Sequence, residues 1–145
     1  MLTLSLRTPV LVLITLVFSG CALFSSHYDA TRHQNFTSLK AMHMKLLDDW
    51  TKGSGKTWSH QKVDNYCESG DLRFREALAY AESGDADDQT ASQAVTILWE
   101  RFTSNCEFLL SRDKPFSKVF IGELRPEIEQ NYDYAISGEL ARVKD

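Results

Sequence analysis

Proline is scarce in this chain, three among 145 residues, and the seven glycines fall mostly between apolar-periodic stretches. Few breakers predict long, uninterrupted elements. No strand-like alternation of apolar and polar residues runs through the part after residue 20, which argues against a sheet. The Lys and Arg residues form no run along the sequence, and 15 basic residues face 20 acidic ones after residue 20. That balance excludes an ordinary nucleic-acid surface, where basic residues cluster. Charged residues make up 25% and apolar residues 43% of the chain, so it is a globular protein rather than a disordered one. Its length suits one domain.

A long apolar run is lacking too. Residues 9–18, PVLVLITLVF, are ten almost wholly apolar residues behind Arg7, whereas a membrane-spanning helix needs about 20. A short apolar core after a weakly positive start is the pattern of a secretory signal. The run stops at Ser19, Gly20 and Cys21. This stretch, FSGC, resembles the lipobox of bacterial lipoproteins, with Phe18 where that family commonly carries Leu. The resemblance covers the first two dozen residues. It implies cleavage before Cys21, a diacylglyceryl group on the Cys21 sulfur, and attachment to the membrane of a bacterial envelope. Ala22, rather than Asp, follows the cysteine, which by the same resemblance implies an outer-membrane address facing the periplasm. The alternative is an ordinary small-residue cleavage site at Gly20-Cys21-Ala22 and a soluble product.

Cysteine number bears on that choice. The three are Cys21, Cys67 and Cys106, and a lipid on Cys21 leaves an even pair in an oxidising compartment. Three stretches after residue 30 repeat apolar residues at steps of three and four, the mark of one helix face. The first holds Phe36, Leu39, His43, Leu46 and Trp50, opened by a Thr31/Gln34 capping box and closed by Gly53. The second holds Val63, Cys67, Gly70, Phe74, Ala77 and Ala81, up to Gly84. The third holds Ala91, Val95, Leu98, Phe102, Cys106 (or Asn105) and Leu109, with Asp87, Asp88 or Thr90 as its cap. A fourth runs from Val119 to Leu140 and contains Pro126, which predicts a kink or break near residue 125. Short connections favour antiparallel neighbours, hence an all-α, up-down-up-down four-helix bundle over residues 31–145, behind a signal peptide (1–20) and a lipidated tether (21–30). With the second turn centred near Ala86, Cys67 and Cys106 stand at nearly equal distances from it. Antiparallel helices then bring them to one height, which predicts a disulfide, the alternative being two independent buried cysteines.

The motifs for chemistry are incomplete. GSGKT at 53–57 resembles the end of a phosphate loop, but Trp50 stands where its first glycine belongs and a helix precedes it, so it reads as an interhelical loop. Met42, His43 and Met44 offer soft copper ligands. Adjacent helical residues diverge, however, and His43 lies on the apolar stripe, where a hydrogen-bonded core histidine is the simpler reading. His33 lies ten residues away, and His27 and His60 fall in expected loops. Glu82, Asp85, Asp87 and Asp88 lack the ligand ladder of a calcium loop. Trp50 and Trp99 fit the core, Trp58 is expected to fold back over the bundle end, and of Tyr132 and Tyr134 the latter is expected at the surface. Catalytic, cofactor and metal residues are therefore all read as none. The chain reads as a non-enzymatic envelope lipoprotein that binds another envelope component. The alternative is a periplasmic carrier of a metal or a small apolar ligand held between the helices.

Overall fold

The computed structural model describes residues 27–84 and 89–142. Cys21, the expected signal peptide, Asp87 and Asp88 lie outside the described residues. The described residues form four helices: α1 (Ala30–Asp49), α2 (His60–Glu82), α3 (Gln89–Arg112) and α4 (Lys118–Ala141). Among those residues no strand forms, and the one β-bridge joins Thr51 to Phe116. The architecture is an all-α four-helix bundle with antiparallel neighbours. Packing is heaviest between α2 and α3 and between α1 and α4, and light between α3 and α4.

The stripes of α2 and α3 bury as their periodicity predicts. Val63, Cys67, Gly70, Phe74, Ala77 and Ala81 are buried on α2; Ala91, Val95, Leu98, Phe102, Asn105, Cys106 and Leu109 are buried on α3. Both members of the Asn105/Cys106 pair face inward. Cys67 and Cys106 join in a disulfide with Cα atoms 5.9 Å apart. One turn along, Gly70 lies under the Phe102 ring, where a Cβ would come within 2.3 Å of it. Glycine is there because the two helices approach too closely for a side chain.

Helix ends differ from the expected ones. Asp29, not Thr31, caps α1, accepting from the N–H groups of Thr31 (2.8 Å) and Arg32 (3.2 Å), so Thr31 and Gln34 lie inside the helix. α1 stops at Asp49 with Trp50 as its C-cap, and Gly53 (φ +87°) shapes the loop beyond it instead of closing the helix. α2 ends at Glu82 with Ser83 as its cap, one residue before Gly84. His60 is the first residue of α2, not a loop residue, behind the Ser59 cap. Thr90 lies within α3 rather than capping it. Pro126 does not break α4, which runs from Lys118 to Ala141. The removed hydrogen bond is offset by burial on both sides of the proline, with Ile121 before it and Ile128 and Tyr132 after it.

Candidate functional site

The bundle has two poles and a middle, each held differently. At mid-height the core is polar. His43 is fully buried on α1, and the Asn105 side-chain amide of α3 donates to its Nε2 at 2.9 Å. That fixes the tautomer with hydrogen on Nδ1, which donates to the Tyr132 hydroxyl of α4 at 3.1 Å. The imidazole also stands edge-on to Phe102 and Tyr132, with centroids 5.2 and 5.7 Å away. Burial, with the Arg101 charge adding to it, pushes the His43 pKa down to about 3, so the ring is neutral at physiological pH. Burial likewise pushes Tyr132 up. His43 is thus a satisfied core histidine that ties three helices together. Met42 and Met44 beside it are partly buried against the core. Among the described residues no three His, Cys, Asp or Glu side chains converge as a metal set.

At the pole where the chain enters, a buried acid closes the structure. Glu139 on α4 is 2% exposed and accepts the Asp29 backbone N–H at 2.7 Å. Arg32 Nε stands 3.5 Å and Arg142 Nε 3.7 Å from its other oxygen. Arg32 also donates to the His27 carbonyl at 3.0 Å, and the Tyr80 hydroxyl of α2 donates to Asp29 at 3.0 Å. Burial raises the Asp29 pKa, but the Arg32 N–H, the Tyr80 hydroxyl, the Thr31 N–H and the Arg32 charge outweigh it and hold the carboxyl below its ordinary value. The N-terminal approach is therefore clasped to the bundle by ionic and capping contacts. Sequence periodicity missed Glu139, because it sits one position before the apolar Leu140. Leu140 is 44% exposed, so the stripe has drifted by one residue at this end of α4.

Beside this pole, α3 and α4 part around a groove of about 390 Å³. Ala91 and Ala94 on α3 face Ala135 and Gly138 on α4, and these small side chains leave the space unfilled. Ile97 (59% exposed) and Tyr134 (66%) stand on its rim. Tyr134 is the surface member of its pair and Tyr132 the buried one.

The opposite pole is built from the α1–α2 and α3–α4 loops. The Phe116 N–H donates to the Trp50 carbonyl and the Lys52 N–H to the Phe116 carbonyl, both at 2.8 Å. GSGKT lies in the α1–α2 loop, with Gly53 and Gly55 both at positive φ. Trp58 folds back, its ring 5.9 Å from that of Trp50 and its indole N–H donating to Asp113 at 3.3 Å. His60 Nδ1 reaches the same Asp113 oxygen at 2.9 Å, and these two contacts hold the Asp113 carboxyl below its ordinary pKa. Trp99, expected in the core, is half-buried and donates to Asp71 at 2.9 Å. No family model matches the chain, and neither a curated protein nor a solved structure matches it.

Proposed function

We propose that the chain is a membrane-tethered lipoprotein of the bacterial envelope that works without catalysis, as a binding or accessory protein for another envelope component. The observation that carries this reading is the Cys67–Cys106 pairing. It leaves Cys21 as the one thiol for a lipid, at the end of a ten-residue apolar run and behind Ser19 and Gly20. Eight positions separate Cys21 from the Asp29 clasp, a reach of about 28 Å when extended. The 20 residues of α1 then carry the other pole about 30 Å from that clasp. A lipid at Cys21 would hold the clasped pole near the outer membrane and leave the loop pole open to partners. The test is fractionation of cells carrying the full-length chain or its Cys21→Ser variant. The parent should sediment with membranes, resist a salt wash and dissolve in detergent, and the variant should leave the membrane fraction. Equal partition of the two would refute the tether.

The α3–α4 groove favours a second reading, a carrier of a small apolar ligand, because Ala91 and Ala94 opposite Ala135 and Gly138 leave an open space floored by apolar Phe36 and Leu98. Native mass spectrometry of the purified full chain distinguishes the two. A stoichiometric small molecule would favour the carrier, and a bare chain the accessory protein.

A further inference from the structure

Folding gathers charge that is dispersed in the sequence. Residues 50–62 and 112–118, from two loops and the starts or ends of α2, α3 and α4, hold six Lys or Arg residues and one acid, Asp113. Asp49 at the end of α1 is a second acid here, and it pairs with Lys45 and Lys56. The backbone bonds between Phe116 and Trp50 and Lys52 bring the two segments to one pole. Of the fourteen described Lys and Arg residues, only Lys52, Lys62, Arg73, Arg112, Lys114 and Lys118 make no ion pair with a described carboxylate. Five of those six stand at this pole, on a chain whose net charge is −4.

Two of these cations, Arg112 and Lys114, line a recess of about 440 Å³. Its wall is three stacked rings: Phe108 and Phe120 are 4.9 Å apart and nearly parallel, with Phe116 at 5.7 and 5.6 Å from them. The Arg112 guanidinium lies 4.6 Å over the Phe108 ring, and Lys114 lines the rim. The recess takes an apolar side chain and the cations around it take carboxylates. We infer that this pole is a docking site for an acidic protein segment, one in which Asp or Glu residues flank a single large apolar side chain. This deepens the proposed function by naming its partner's chemistry, and it rests on that reading. Arg and aromatic residues together are the usual composition of an interface centre, and the surrounding Lys residues steer an acidic partner toward it. An anionic bilayer fits less well, because the phenylalanines form a concave wall rather than projecting to insert.

The test places a photo-crosslinking residue at Val119, 74% exposed beside Lys118, or at Leu72, 57% exposed on α2 as the control, in the full-length chain in cells. The Val119 probe should give a protein product whose linked peptide has the acidic, singly apolar pattern. Its yield should fall about tenfold or more in the Lys114→Glu, Lys118→Glu variant and hold in Lys114→Arg, Lys118→Arg. Both lysines are exposed, and thermal melts of the two variants should match the parent's. Four results overturn the inference: a phospholipid product, a product only with a second copy of this chain, a yield unchanged by charge reversal, or a yield no higher than at Leu72. Fractionating the same cells separates the two failures. A chain absent from the membranes refutes the tether, and a membrane-bound chain with no Val119 product refutes the acidic partner.

Discussion

The two helix pairs of this bundle are held together by opposite means. Between α2 and α3 lie a largely apolar seam, a disulfide and the close approach at Gly70. Between α1 and α4 apolar side chains also pack, but polar groups set the register. His43 meets Tyr132, Lys40 meets Asp133 at 2.6 Å, Arg125 meets Asp48, and Glu139 receives Asp29 and the two arginines. An apolar seam is tolerant of solvent conditions, whereas a buried ionic or imidazole contact is conditional on protonation and on both partners being present. The α1–α4 pair should therefore be the one that pH and single truncations open first.

Acid should have the largest effect. His43 binds a proton in the unfolded chain near pH 6.5 but in the fold only near pH 3. The unfolded state thus takes up protons first, and stability falls as pH drops from 6.5 toward 3, by on the order of 4–5 kcal/mol in total, with no contribution above 6.5. Between pH 6.5 and about 4.5 the carboxylates with lowered pKa values, Asp29, Asp49 and Asp113, remain charged in both states, so the slope there belongs to His43. Denaturant melts of the parent and His43→Gln over that window check it. The variant should be less stable but flat, and an equally steep slope would contradict the assignment.

Truncating Glu139→Ala should come next, costing about 3–5 kcal/mol because Arg32 and Arg142 lose their buried partner. Hydrogen exchange should show the loss as opening of the α1 N-terminus, and Glu139→Gln, which can still accept the Asp29 N–H, should lose less. On the other side of the comparison, Cys67→Ser removes the cross-link closing residues 67 to 106 and should cost about 2–4 kcal/mol, read as a lower melting temperature. An unchanged melt would contradict it. Smallest is Gly70→Ala, about 1–3 kcal/mol. The added Cβ meets a Phe102 ring that is 1% exposed and pinned between Phe74 and His43. If the parent and this variant melt alike, α2 and α3 are not packed as closely as described.

The same contrast explains what was legible in the sequence. Every stripe residue of α2 and α3 was readable, because an apolar seam writes its period directly into the chain. So was the Cys67–Cys106 pair, since two cysteines equidistant from one turn need only antiparallel helices to meet. His43 was readable as a core residue from its place on a stripe, but its partners were not: Asn105 and Tyr132 lie 62 and 89 residues away. Glu139 was invisible, because a buried acid between apolar positions looks like an exposed one until its arginines are in place. The Thr31/Gln34 box is as sound a cap chemically as Asp29, but it lies two residues too late. The basic pole was hidden for the same reason as Glu139. Lys52 and Lys118 are 66 positions apart, and only the backbone bonds between Phe116 and the Trp50–Lys52 segment bring their loops to one pole.

All of these contacts serve the tether only if Cys21 carries it, and intact mass of the protein extracted from membranes measures that directly. The expected mass is that of residues 21–145 plus a diacylglyceryl group, with or without further acylation, less two hydrogens for the disulfide. An unlipidated chain beginning after Ala22 would contradict it.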